Sequence, residues 1–170
     1  SIAEAGLLVL AMGLKSSELV NITFLLLISR GLELAVWALA LSIIKRKAYS
    51  LRLSEIKGLA RTYPVAVAAL VLAHLSMTGF PLLAGFPPRA ALWQELAGQS
   101  LTISFWVFLG LIGLLIAAIR TLAVFVMAEE NKAWELNESW MQTTMLGLGV
   151  IGLFILGMFP QITQPILVNL

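Results

Sequence analysis

The sequence predicts an all-α integral membrane protein with about five transmembrane helices, one of them discontinuous between Gly79 and Pro88. Of its 170 residues, 60% are hydrophobic and only 12% are charged, and the mean hydropathy is +0.97. A bilayer core about 30 Å thick takes roughly 20 apolar helical residues to cross, and runs of that length recur along the chain. We therefore interpret residues 1–170 as a single transmembrane domain embedded in a lipid bilayer.

Three uninterrupted apolar runs have spanning length, and each is expected to form one helix. They cover residues 21–44, 101–127 and 141–159. A shorter apolar run at residues 2–14 starts the chain without a methionine. We expect it to belong to a helix whose beginning lies outside this chain.

The remaining apolar run, residues 64–97, is interrupted by proline and glycine. Proline has no N–H to donate, and hydrocarbon offers no water to the carbonyls that lose their partners. We expect two half-helices of one crossing, with a hairpin that enters and leaves on one side as the competing geometry. Such broken helices handle ions in transporters, so function is expected here. The residues predicted to break the helix are Gly79, Pro81, Gly85, Pro87 and Pro88.

Charge placement orients the chain. The connector 45–63 carries six basic residues and one acidic residue, and basic loops stay on the cytoplasmic side of a membrane. The connector is therefore predicted to lie on the cytoplasmic, matrix or stromal side. The basic cluster is interpreted as a topology anchor, with a dedicated site for anionic lipid as the alternative.

Ionisable residues inside apolar spans are the candidate functional groups, because charge is costly at mid-membrane. Arg30 and Glu33 stand at i and i+3, a spacing that brings side chains together on one helix face; the pair is either structural or part of a relay. His74 is the single histidine, and its unperturbed pKa near neutrality suits proton exchange. The alternative is that His74 only hydrogen-bonds a neighbouring helix.

Several classes of function are excluded by composition. There is no cysteine, which rules out thiolate metal sites, disulfides and thiol redox chemistry. The sequence has no phosphate-binding loop, dinucleotide fingerprint or basic nucleic-acid patch. We therefore expect no catalytic centre, no bound cofactor, no metal and no nucleic-acid partner for this chain.

Three segments resemble a known family in the same order and spacing. Residues 79–89 read Gly-Phe-Pro-Leu-Leu-Ala-Gly-Phe-Pro-Pro-Arg, which resembles the Leu-Ala-Gly-Ile-Pro-Pro motif of the antiporter-like subunits of respiratory complex I. Residues 1–6, Ser-Ile-Ala-Glu-Ala-Gly, are similar to the family's Ser-Ile-Ala-His-x-Gly, and residues 54–64 are similar to the family's entry to its broken helix. The chain resembles the C-terminal part of the subunit-2 type and of the related Mrp-type cation/proton antiporter subunits.

This resemblance implies proton translocation along a line of ionisable residues at mid-membrane. Arg89 stands where the family has a lysine, and arginine is effectively always protonated. Arg89 is then either a fixed charge that sets the local field or the remnant of a lost relay that now has a structural partner. Glu4 stands where the family often has histidine. The resemblance thus nominates Glu4, Arg30, Glu33, His74 and Arg89 as the proton path.

The resemblance also implies where the energy and the partners come from. We expect a membrane-arm subunit of an NAD(P)H- or ferredoxin-quinone oxidoreductase, with quinone, flavin and iron–sulfur clusters held by other subunits. The expected setting is a bacterial plasma membrane, a thylakoid or a mitochondrial inner membrane. A multi-subunit sodium/proton antiporter, or a structural subunit that no longer conducts, are the alternatives.

Overall fold

The computed structural model describes residues 2–13, 19–46, 59–126 and 137–163. Within these ranges every regular element is helical, which confirms the all-α prediction. The α-helices are α1 (Ile2–Met12), α2 (Leu19–Lys45), α3 (Pro64–Met77), α4 (Phe86–Gln99), α5 (Leu101–Val126) and α6 (Trp140–Met158), and 3-10 helices cover Leu59–Arg61 and Pro160–Thr163. Residues 47–58, most of the predicted basic connector 45–63, lie outside the described residues.

Helix lengths show how the chain fits a membrane. In the described part of the chain, α2, α5 and α6 are each long and apolar enough to cross a bilayer. By contrast, α3 and α4 have 14 residues each, which is about 21 Å at 1.5 Å per residue and short of a core about 30 Å thick. These two helices are the halves of the predicted discontinuous helix, and the chain is an integral membrane protein.

The break between the half-helices, residues 78–85, begins with a Schellman motif. Gly79 has a φ of +79°, its N–H donates to the Ser76 carbonyl at 2.9 Å, and the Phe80 N–H donates to the Leu75 carbonyl at 3.1 Å. This pattern ends a helix when glycine adopts the left-handed conformation. Pro81 follows within two residues and cannot continue a helix. Gly79 and Pro81 therefore end α3 where the sequence predicted.

The other two prolines of the motif begin a helix. Pro87 and Pro88 lie in the first turn of α4, after Gly85 at the N-cap. The first N–H groups of a helix have no partner within it, so proline loses nothing there, and its fixed φ already suits the helix. The second half-helix thus starts at Phe86, within the segment that the sequence assigned to the break.

Helix α2 is at the centre of the described bundle and packs against α1, α3, α4 and α6. One hydrophobic core joins α2 with α3, α6 and the break, and a second joins α2 with α1 and α4. A residue on the inward face of α2, near its middle, is therefore enclosed by other helices. This position is where Glu33 lies.

The half-helices have different neighbours. Helix α3 packs chiefly on α2 and α6, whereas α4 packs on α5 and α2. The Trp93 ring stacks on Phe108 with centroids 5.7 Å apart, and its indole N–H donates to the Ser104 carbonyl at 3.3 Å. This division favours two halves of one crossing over a hairpin whose arms lie side by side.

A hydrogen bond to Glu138 links the start of α3 to the start of α6. The Ala66 N–H donates to Glu138 Oε1 at 2.9 Å, so a carboxylate from the start of one helix satisfies the N-terminus of another, where negative charge is favoured. Ser139 and Gln142 form a capping box that starts α6. The first half-helix is thereby fixed to α6 at one end of the bundle.

Small residues allow α6 to approach the centre closely. A Cβ on Gly149 would lie 2.6 Å from Val36 Cγ2, and a Cβ on Gly152 would lie 3.2 Å from Leu32 Cδ2. A Cβ on Gly157 would collide with the Leu82 carbonyl and the Leu83 carbonyl carbon. Membrane helices pack closely through such small residues, and here Gly157 brings α6 against the backbone of the break.

Replacement of Gly157 by alanine should destabilise the protein, because the added methyl meets backbone atoms that cannot rotate away. Overpacking of this kind costs about 1–3 kcal/mol. Gly147→Ala is the matched control on the same helix, since a Cβ there meets nothing within 4 Å. Thermal unfolding of the two purified variants in detergent measures the difference. Equal unfolding temperatures would contradict the packing described for Gly157.

Candidate functional site

A buried ion pair lies at the helix break. Glu33 of α2 is 0% exposed and Arg89 in the first turn of α4 is 5% exposed, and Arg89 Nη1 lies 3.7 Å from Glu33 Oε1. The sequence spacing predicted Arg30 as the partner of Glu33, and this pairing is wrong. Arg30 is half-exposed, and the partner that lies within ion-pair distance comes from α4.

Arg89 also joins the two half-helices. Its Nη1 donates to the Ser76 carbonyl at 3.2 Å and to the Gly85 carbonyl at 2.8 Å. The first carbonyl belongs to the last turn of α3, where the helix dipole favours a cation. The guanidinium group therefore donates to a carbonyl group on each side of the break.

Glu33 is held from the opposite side by a serine. The Ser76 hydroxyl donates to Glu33 Oε1 at 2.7 Å and accepts the Gly85 N–H at 3.0 Å. Ser76 is 0% exposed. The carboxylate is thus linked through one hydroxyl to the N-terminal end of α4, where negative charge is favoured.

Gly85 leaves the space that these contacts occupy. A Cβ at this position would collide with the Ser76 carbonyl oxygen, with Arg89 Nη1 and with Glu33 Oε1. The sequence nominated Gly85 as a helix breaker. The structure gives it a second role, because any larger residue would displace the ion pair.

The energetics of such a pair depend on its hydrogen bonds. Moving two charges out of water costs several kcal/mol per ion, and their attraction offsets this only when further hydrogen bonds complete the geometry. Here Ser76 and Gly85 supply hydrogen bonds to Glu33 Oε1 and to Arg89 Nη1. The arrangement places a neutralised pair of charges beside the middle of α2, the central helix of the described bundle.

His74 lies one turn before the end of α3 and faces a different space. It is half-buried and lines an open cavity of about 270 Å³ between α2, α3 and α5. A second open cavity, of about 190 Å³, lies between the break and α5. Thr78, the first residue of the break, lines both cavities. The other residues described around the first cavity are Leu34, Trp37, Met77 and Leu114.

Two further residues nominated from the sequence are Pro81 and Glu4. Pro81 is exposed on the break. Glu4 lies in α1, and its side chain is outside the part of the molecule that the structure describes. Across the described ranges, no three histidine, aspartate or glutamate side chains are grouped as a metal ion would require.

One serine of the site, Ser76, and a second buried serine outside the ion pair, Ser29, were not found from the sequence. Besides Ser76, Ser29 of α2 donates its hydroxyl hydrogen to the Ala84 carbonyl at 2.9 Å. Ser29 stands four residues before Glu33, a spacing that places both on one face of α2. This spacing could have indicated the site from the sequence. A hydroxyl and a carboxylate on one face of an apolar helix indicate that polar groups of a neighbouring segment lie against that face.

Comparison with known proteins identifies what the chain is similar to. The model of a family described as NADH:quinone oxidoreductase/Mrp antiporter, TM, matches residues 1–117, a range that contains both half-helices, Glu33 and Arg89. NADH-quinone oxidoreductase subunit N of Dehalococcoides mccartyi is 29% identical over 177 aligned positions, which cover 95% of this chain and 34% of that protein. The chain therefore spans about a third of the length of this relative.

Neutralising one member of the ion pair should destabilise the protein more than neutralising both. Glu33→Gln keeps the shape but leaves the Arg89 charge uncompensated, and breaking a buried pair in this way costs about 3–5 kcal/mol. The double variant Glu33→Gln/Arg89→Met removes both charges and should recover most of that loss. Chemical or thermal unfolding in detergent compares them. A single variant as stable as the parent protein would show that the pair contributes nothing.

Proposed function

The chain belongs to the NADH:quinone oxidoreductase/Mrp antiporter transmembrane family, and from this premise we propose that it contributes to proton translocation in the membrane arm of a quinone oxidoreductase. The relative from Dehalococcoides mccartyi is named as a subunit of an NADH-quinone oxidoreductase. The present chain corresponds to about a third of it. What is proposed is therefore one part of a larger proton path.

The observation that carries the proposal is the buried pair Glu33–Arg89 at the helix break. Ionisable residues within membrane spans are expensive, and they mark ion pathways and proton relays. Discontinuous helices place their binding sites at mid-membrane, with half-helix ends directed at charged groups. Both features meet at one point of this fold.

Within this proposal Arg89 is a fixed positive charge and does not pass on a proton. An arginine stays protonated in proteins, and this one donates to two backbone carbonyls. Its charge lies 3.7 Å from the carboxylate of Glu33 and sets the field across the break. The groups that exchange protons are then Glu33 and His74, with Glu4 and Arg30 as further members of the path.

The cavity beside His74 supplies a route for protons. Its volume of about 270 Å³ exceeds several times the roughly 30 Å³ that one water occupies in the liquid. His74 and Thr78 provide polar groups on its lining. Water in this cavity would connect His74 to the first residue of the break.

The proposal places redox chemistry in other subunits. Oxidation of NAD(P)H or ferredoxin and reduction of quinone would supply the energy, and the flavin and iron–sulfur clusters would be bound there. The partners are the other membrane-arm subunits and the surrounding lipid. The membrane is a bacterial plasma membrane, a thylakoid or a mitochondrial inner membrane, with connector 45–63 on the cytoplasmic, matrix or stromal side.

Copurification of the tagged chain with a large quinone-reducing assembly tests this setting, and recovery with sodium/proton antiporter subunits alone would contradict it.

Loss of the histidine should lower proton pumping while quinone reduction continues. His74→Ala removes a group that exchanges protons near neutral pH from the lining of the cavity. Met77→Ala is the matched control, because Met77 lines the same cavity and carries no exchangeable proton. Proton uptake by vesicles is measured per quinone reduced, with equal amounts of assembled complex. Unchanged pumping in His74→Ala would remove His74 from the path.

Charge, more than side-chain shape, should decide the effect of changes at Arg89. Arg89→Lys keeps a positive charge and three N–H donors and should retain most pumping. Arg89→Ala should lose it, because Glu33 is left without its counter-charge. The same vesicle assay compares the two. Full activity in both variants would make Arg89 a bystander and would favour a subunit that does not conduct.

A further inference from the structure

We propose that Ser76 is a positioning residue for Glu33, and that its hydroxyl links the carboxylate to the backbone at the start of α4. This inference rests on the proposed function, since it assigns Ser76 a role in the same proton path. Ser76 itself exchanges no proton in this scheme. It acts through Glu33 and through the geometry of the break.

Ser76 takes part in three contacts that converge on the site. Its hydroxyl donates to Glu33 Oε1 at 2.7 Å and accepts the Gly85 N–H at 3.0 Å, while its carbonyl accepts from Arg89 Nη1 at 3.2 Å. Both members of the ion pair and the N-cap residue of α4 therefore contact this one residue of α3. With 0% exposure, Ser76 has no water as a substitute partner.

The backbone imposes the direction of the hydroxyl hydrogen. A serine hydroxyl has one hydrogen to donate and two lone pairs to accept with. The Gly85 N–H is always a donor, so it occupies a lone pair of Ser76 Oγ. The hydroxyl hydrogen is then free to point at Glu33, which fixes both the position of the carboxylate and the direction of the hydrogen-bond chain.

This chain transmits changes at Glu33 to the second half-helix. When the carboxylate accepts a proton, Glu33 Oε1 can still accept a hydrogen bond but no longer carries negative charge, so the bond from the Ser76 hydroxyl weakens. Its contact with the Gly85 N–H then changes as well, next to the carbonyl that Arg89 holds at 2.8 Å. Ser76 thus couples the charge state of Glu33 to the backbone that closes the break.

A matched pair of serine variants tests this inference. Ser76→Ala and Ser29→Ala each remove one buried hydroxyl that bonds to the break, but Ser29 bonds to the Ala84 carbonyl, and only Ser76 contacts the ion pair. In the assembled complex, protons pumped per quinone reduced should fall roughly tenfold in Ser76→Ala, the order of one hydrogen bond to a charged group. The ratio should stay at the parent value in Ser29→Ala.

A second measurement, infrared spectroscopy, reports on the carboxyl group of Glu33 directly and does not depend on pumping. The infrared carboxyl bands of Glu33, assigned as those that disappear in Glu33→Gln, should shift in Ser76→Ala and stay in place in Ser29→Ala. If Ser76→Ala does not assemble, Ser76→Cys replaces it, because a thiol is a weaker donor of similar shape. An intermediate pumping ratio is then expected, together with a smaller band shift.

The outcomes separate this inference from the proposed function. If the parent complex pumps protons and the Ser76 variant matches Ser29→Ala in both ratio and infrared bands, the role of Ser76 is overturned. If the parent complex reduces quinone without pumping, the proposed function fails. The infrared comparison still decides in that case whether Ser76 positions Glu33.

Discussion

One buried ion pair, Glu33 with Arg89, is the constraint on which the helix break depends. Backbone polar groups at a break inside a membrane have no water to turn to, and Arg89 adds a hydrogen bond to one carbonyl at each end of the break. Arg89 then needs a counter-charge in a place that solvent does not reach. Glu33 supplies this charge because α2 passes through the centre of the bundle.

The remaining features of the site follow from that pair. Gly85 must lack a side chain, since the guanidinium and carboxylate groups occupy the space beside it. Ser76 donates to Glu33 Oε1 and accepts the Gly85 N–H. The prolines at positions 87 and 88 let α4 start at once after the break, which brings Arg89 within reach of the last turn of α3. Each residue of the motif thus has a physical task that can be stated separately.

Apolar patterning predicted the spanning helices well because length and hydropathy are set locally. The predicted runs 21–44, 101–127 and 141–159 correspond to α2 (Leu19–Lys45), α5 (Leu101–Val126) and α6 (Trp140–Met158). The discontinuous helix was predicted for the same reason, since proline and glycine act on their own backbone. The different roles of these glycine and proline residues were not predicted: Gly79 and Pro81 end one half-helix, whereas Pro87 and Pro88 begin the next.

The partner of Glu33 could not be predicted from local spacing. Arg30 is its neighbour on the same helix, yet Glu33 is directed towards the break, where Arg89 arrives from a distant part of the chain. Which helices meet, and at what height, depends on packing between spans, and a single sequence does not contain those distances. Ser76 and Ser29 were missed on the same ground, because a serine in an apolar helix gains a role only from what lies opposite.

The surroundings of the break are unequal on its two sides. Towards α6, Gly157 lies so close to the Leu82 and Leu83 backbone that not even a methyl group fits between them. Towards α5, an open cavity of about 190 Å³ lies against Gly79, Phe80 and Pro81. The break is therefore packed tightly against α6 on one side, whereas on its other side free volume separates it from α5.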